Sequence, residues 1–218
     1  MFPMELAEKN ILFQGIPFGD LLKMLSCLSA KRMAYKKNDV ILLTGDVVNI
    51  VGWVISGCVR VVREDIEGEA GILAELPAPN LFCEVFACAE LEHSPISIVA
   101  SEDCDVLLMD YKRIAQPCNT ACRYHNQLIM NLLRAVARKS LLLNQKVEIL
   151  SKRSIRERIL SFLDTHRDNR KKFNIPYNRE EMARYLCIDR SALSRELCKM
   201  RDDKLIKFER NTFEILGE

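Results

Sequence analysis

NREEMARYLCIDRSALSRELCKM, residues 178–200, is the stretch on which the reading of this chain turns. Asn178 stands three residues before Glu181, the spacing of a capping box, and Met182 and Leu186 follow as an apolar stripe, so a helix starts at Asn178. After a short turn at Cys187 and Ile188, Asp189 is placed to cap a second helix whose buried side is Leu193, Leu197 and Met200. Residues three and four apart share a helix face, which gathers Arg190, Ser191, Ser194 and Arg195 on the side turned to solvent. Downstream, KLIKF (204–208) and FEIL (213–216) flank a polar ERNT turn, the pattern of a β-hairpin. Two helices joined by so short a turn and followed by a hairpin make a winged helix-turn-helix. In that motif the second helix enters the major groove of duplex DNA, where arginine bonds bidentate to guanine and short hydroxyls reach base edges or phosphates.

Working back from this motif, SKRSIRERIL (151–160) holds a second capping box, Ser154 with Glu157. A helix therefore begins at Ser154, after a hinge at Lys152 and Arg153, and a domain boundary fits that point. Residues 118–150 contain no proline or glycine. Within them Ile129, Leu133, Val136, Ser140, Leu143, Val147 and Leu150 follow alternating steps of four and three, a coiled-coil-like seam on a long helix. Leu128, Leu132, Ala135 and Leu142 form a second stripe. So much apolar surface on one helix implies a seam to a second copy of the chain together with contact to the preceding domain.

The first half has another rhythm. Runs rich in β-branched residues at 40–43, 52–55, 59–62 and 96–100 are separated by TGD, SG, EDIEGE and PAPN, as in a small all-β roll, with a helix near 18–26 covering it. The chain has 218 residues, 49% hydrophobic and 28% charged, room for two small domains. From Lys152 onward 17 Lys+Arg stand against 12 Asp+Glu, net +5, and the remainder carries 15 against 18, net −3, so the basic excess lies with the helix-turn-helix. No apolar run reaches the ~20 residues of a membrane span, and the opening has no signal-peptide pattern, so the expected location is cytoplasmic with no membrane partner. The expected fold class is α+β, with a double-stranded β-helix (jelly-roll) sensor domain at 1–115, a dimerisation helix and hinge at 116–152, and a winged helix-turn-helix at 153–218.

This ordered set of features resembles the Crp/Fnr superfamily of bacterial transcription regulators over nearly the whole chain. The matching stretches are LLTGDVVNIVGWVISGCVRVV (42–62), NLFCEVFA (80–87), QKVEILSKRSIRERI (145–159) and the helix pair at 178–200. The resemblance implies a cyclic-nucleotide-binding-like roll, a homodimer on an inverted-repeat operator in double-stranded DNA, and RNA polymerase as a further partner. It implies Arg195 as main guanine reader, with Arg190, Ser191 and Ser194 setting the remaining preference. Arg179, Lys199 and Arg210 are candidate DNA-backbone contacts, as are Lys152 and Arg153. In the effector cassette Glu84 matches the family's glutamate. Cys83 stands where the family has glycine, and Ser94 with Pro95 where cyclic-AMP-binding members have Arg-Ser. A buried cyclic phosphate needs a paired cation to offset its desolvation, so cyclic AMP is not the expected effector. The adenine-touching pair of the dimer helix is changed to Leu143 and Asn144. With Glu84, Cys83 and Ser94 these are the candidate contacts of an unknown small-molecule effector, no cofactor being required; Trp53 and Tyr111 serve as packing before lining.

The nine cysteines are scattered and fit reduced thiols rather than a disulfide framework. Cys118, Cys122 and His125 have helical spacings of four and three, a candidate half-site for zinc, haem or an iron-sulfur cluster without an evident fourth ligand. Cys83 and Cys88 are candidates for a redox response, while Cys187 and Cys198 are expected to pack beneath the second helix of the motif. No Walker loop, GxSxG or HExxH is present, so an enzyme is not expected. The alternatives are a metal-, haem- or thiol-based redox regulator, and a sensor dimer that docks on a protein partner without binding DNA.

Overall fold

The computed structural model describes residues 10–64, 70–116, 124–167 and 170–216, and the chain divides into two compact units, 1–138 and 139–218. In the first unit helix α1 (Phe18–Cys27) leads into β1 (Lys31–Tyr35), β2 (Val40–Leu42), β3 (Ile50–Ser56), β4 (Cys58–Glu64), β5 (Ala70–Pro77) and β6 (Leu81–Phe82). Helix α2 (Glu84–Cys88) follows, then β7 (Ser97–Ala100), β8 (Cys104–Asp110) and helix α3 (Tyr111–Ala115). The strands form two antiparallel four-stranded sheets, ordered β1-β8-β3-β6 and β2-β7-β4-β5. Val51, Trp53, Val54, Val59, Ile98, Val106 and Met109 fill the core of the roll. Trp53 meets Phe13 edge to face at 5.4 Å, a preferred aromatic geometry. Gly52 is required by the ring of Phe82 on the paired strand β6, since a Cβ there would lie 2.1 Å from Phe82 Cζ.

The runs at 40–43, 52–55, 59–62 and 96–100 correspond to β2, β3, β4 and β7, and the helix near 18–26 is α1. The sequence reading does not foresee β1, β5, β6 or β8. Strand β1 is a sheet edge whose first four residues are all exposed, so it carries no apolar alternation. Strand β8 buries Val106 and Leu107 in succession at the centre of its sheet, which breaks the period of two.

Helix α4 (His125–Leu150) is the long helix foreseen at 118–150; residues 117–123 lie outside the described residues. Its stripe Leu128, Leu132 and Ala135 is buried in the core of the roll. Leu142, placed on the same stripe by sequence, is exposed. Asn131 is buried on this helix and uses its whole hydrogen-bonding capacity. Its Nδ2 donates to Leu12 O at 3.0 Å and Gln14 O at 2.7 Å, while Oδ1 accepts from Gln127 Nε2 at 2.9 Å and Arg134 Nη1 at 3.1 Å.

The second unit takes in the end of α4, then α5 (Ile155–Asp164), β9 (Lys172–Asn174), α6 (Arg179–Tyr185), α7 (Arg190–Asp202), β10 (Ile206–Glu209) and β11 (Thr212–Ile215). Both foreseen capping boxes are present: Ser154 with Glu157 opens α5, and Asn178 with Glu181 opens α6. The hairpin β10–β11 gains β9 as a third strand, in the order β10-β11-β9, which sequence missed because β9 offers one apolar residue, Phe173. Ile149, Phe162, Met182, Leu193, Leu197, Met200, Ile206 and Phe213 share one core.

Candidate nucleic-acid interface and effector cassette

Helix α6 is followed by Leu186 as its C-cap, and the chain reverses through Cys187, whose φ of +53° lies in the left-handed region. The amide of Cys187 donates to Arg184 O and that of Ile188 to Ala183 O, which closes the turn. Helix α7 then runs with Leu193, Leu197 and Met200 at 0%, 1% and 0% exposure, each burial worth ~1.5–3 kcal/mol. Arg190, Ser191, Ser194, Arg195 and Lys199 are all exposed. One side of α7 is thus spent on the core and the other is left as two arginines, two hydroxyls and a lysine. Arg190 Nε lies 3.9 Å from Glu180 Oε2, a loose surface pair that leaves the guanidinium largely hydrated.

A clamp from α5 holds α7 by two ion pairs. Arg156 on α5 donates from Nε to Glu196 Oε1 at 2.7 Å and from Nη1 to Asp203 Oδ2 at 2.8 Å. Sequence gave no sign of this clamp, whose partners lie 40 residues and more away. Asp189 occupies the N-cap of α7 but its side chain makes no capping hydrogen bond, a correction to its expected role. Cys187 and Cys198 are both exposed and do not pack beneath α7. For Cys198 the helix phase carried the signal, four residues after Ser194 and so on the open face.

The wing places Arg210 in its turn with φ of +50°, exposed. Arg179, expected among the backbone contacts, is half-buried. Its Nη2 donates to Arg210 O at 2.7 Å, and its guanidinium carbon lies 5.3 and 5.0 Å from the ring centres of Phe208 and Phe213. Burial lowers its affinity for the proton from the ordinary arginine value. Lys152 is half-buried and Arg153 exposed in the turn between α4 and α5.

In the roll, Cys83 holds φ +63°, ψ −8°, a conformation suited to glycine, and its side chain is buried. Glu84 follows as the first residue of α2, 1% exposed. Ser94 is also buried, and its hydroxyl donates to Ile96 O at 2.6 Å while accepting from Ile96 N at 3.3 Å. The backbone of Ser94 is paired in both directions with the preceding loop, accepting from Gly45 N and donating to Asp46 O, each at 2.8 Å. His93 Nδ1 donates to Gly45 O at 2.9 Å from an exposed ring. Leu143 and Asn144 are exposed on α4. Trp53 is fully buried core, and Tyr111 is half-buried at the start of α3.

Burial, and then the charge of Glu84, push the half-buried Cys88 thiol above its ordinary pKa, against an activated thiolate. Cys118 and Cys122 lie outside the described residues. His125 is buried, with Nε2 donating to Ile114 O at 2.9 Å. Among the described residues no group of three His, Cys, Asp or Glu side chains is placed to hold a metal ion, and no helix is long and apolar enough to cross a membrane.

The cyclic nucleotide-binding domain family model matches residues 32–121, and the Crp-like helix-turn-helix domain family model matches residues 157–217. No curated protein matches the chain. Among solved structures, CLP of Xanthomonas campestris, titled a c-di-GMP-responsive global regulator, shares 18% identity at a TM-score of 0.58, over 93% of this chain and 100% of that one. A CooA mutant from Carboxydothermus hydrogenoformans shares 22% identity at a TM-score of 0.61, over 97% and 91%. DNR from Pseudomonas aeruginosa shares 19% identity at a TM-score of 0.51, over 98% and 93%. At these identities the likeness speaks to the fold.

Proposed function

We propose that this chain, which belongs to the Crp/Fnr superfamily and carries its sensor and helix-turn-helix DNA-binding domains, acts as a homodimer on an inverted-repeat operator under a small-molecule effector other than cyclic AMP. Members of the family are non-enzymatic transcription factors. The observation that carries the proposal is the division of α7 into a fully buried apolar side and an exposed Arg/Ser side. Arg195 reads guanine, Arg190, Ser191 and Ser194 set neighbouring preferences, and Lys199 and Arg210 hold phosphates. Many relatives place glutamate at the position of Ser191, so the operator differs from the familiar family consensus.

The dimer is supported by the α4 seam, where Leu133, Leu143 and Val147 are 59%, 62% and 58% exposed in the single chain. A second copy laid along this seam covers them. The effector reading rests on the cassette around Cys83, Glu84 and Ser94. A serine whose hydroxyl is already bonded to Ile96 supplies no charge to a cyclic phosphate. Effector binding favours one of two dimer states and so brings the two reading helices into register, with RNA polymerase as the further partner in the cytoplasm.

The test is selection of duplexes from the source genome, followed by titration of wild type and Arg195→Ala on the selected operator. The variant is expected to lose roughly 1–3 kcal/mol of specific binding while remaining a dimer. Equal binding by both proteins removes Arg195 from the reading face.

A further inference from the structure

We infer that Arg179 is a positioning residue of the DNA interface, which holds no phosphate itself but fixes the wing turn from which Arg210 reaches the backbone of the duplex. The inference rests on the DNA-binding reading above and adds a role that charge alone would not assign.

The geometry begins with the capping box. Asn178 accepts from Glu181 N at 2.9 Å and its own amide donates to Glu181 Oε2 at 2.7 Å, which fixes the first turn of α6 and with it the direction in which Arg179 leaves the helix. From there the side chain runs under the hairpin. Its guanidinium lies over Phe208 and Phe213, rings that are themselves stacked at 5.7 Å, and Phe213 is fully buried. Cation–π contact offsets part of the desolvation of the charge. Nη2 then donates to the carbonyl of Arg210, the residue whose φ of +50° a side chain adopts with difficulty. A charge-assisted bond to that carbonyl holds the turn in its strained form. Asn211 O, the next carbonyl, accepts from Ile175 N at 2.9 Å, so the tip is pinned from two elements.

A phosphate contact requires a guanidinium turned to water, and this one is turned to the protein. Nη1 is buried and has no hydrogen-bond partner among the described residues. Arg210 is the exposed cation of the pair. Lysine cannot replace Arg179 in this role, because an ammonium has no planar fork with which to stack on a ring and bond a carbonyl together.

The full-length dimer and its selected operator provide the test, with the dissociation constant followed against salt for wild type, Arg210→Ala, Arg179→Lys and Arg179→Lys/Arg210→Ala. Arg210→Ala is expected to flatten the slope of log K against log salt by about one unit. Arg179→Lys keeps the charge and yet flattens it by about the same amount, and the double variant shows no further change. Faster amide exchange at the β10–β11 turn in folded Arg179→Lys accompanies the loss. A wild-type slope in Arg179→Lys, an unchanged slope in Arg210→Ala, or a loss of two units in the double variant overturns the inference while DNA binding stands. Failure of the wild type to bind any selected duplex overturns the DNA-binding reading, and the inference with it.

Discussion

Asn131 shows how much a single residue decides here. It sits among the apolar residues of α4, yet its two amide hydrogens and both oxygen lone pairs are matched, and it ties the segment around Leu12 and Gln14 to the helix. Replacement by leucine keeps the branched skeleton at Cγ and leaves two backbone carbonyls without donors. The expected cost is about 2 kcal/mol, measured by chemical denaturation. A loss of less than ~0.5 kcal/mol would mean that water satisfies those carbonyls in its place. Polar residues of this kind lie near the point where the roll passes its core to the long helix. Sequence offers only the interruption of a leucine run as a sign of them.

At the scale of elements, the start of α5 follows from four residues. Ser154 caps the helix and Glu157 reaches back to the Ser154 amide. The hydrogen bonds from the Ser154 amide and then its hydroxyl lower the Glu157 pKa below its ordinary value. A carboxyl whose folded pKa is depressed stabilises the fold above its unfolded pKa, near 4.3, and that contribution fades as pH falls through the folded value. Glu157→Gln is therefore expected to be less stable than wild type at pH 7 and to match it near pH 3. Ser154→Ala is expected to cost ~1 kcal/mol at neutral pH. Urea titrations at the two pH values check both, and a Glu157→Gln deficit that persists in acid would locate its effect elsewhere.

At the scale of the whole molecule, the proposed dimer carries two reading helices and so sets the distance between half-sites at about one helical turn, ~34–36 Å. Inserting about half a turn of DNA between the half-sites turns the second away from its helix and is expected to abolish dimer binding in a gel shift, while a whole-turn insertion restores less than the native spacing. Binding indifferent to spacing would mean that each module acts alone. Added cyclic AMP is expected to leave both thermal stability and operator affinity unchanged, since a ligand without affinity for the folded state shifts neither. A rise in melting temperature with cyclic AMP would overturn the reading of the cassette.

The amino-acid sequence by itself determined what depends on neighbours along the chain. Both capping boxes, the buried stripe of α7, the hairpin and the apolar periodicity of α4 are set by residues a few positions apart, so their pattern survives in one dimension. It also determined the family, because those local patterns occur in one order. The tertiary structure decided which distant groups meet. Arg156 finds Glu196 across 40 residues, Arg179 finds the carbonyl of Arg210 across 31, and Asn131 finds that of Leu12 across 119. Nothing in the local pattern separates a charge that pairs inward from one that faces water, so the sequence places Arg179 among the candidate DNA-backbone contacts, whereas the fold turns it to the wing. The physical reason is that caps and stripes draw on local geometry, whereas the partner of a polar side chain is settled only when the whole chain has folded around it.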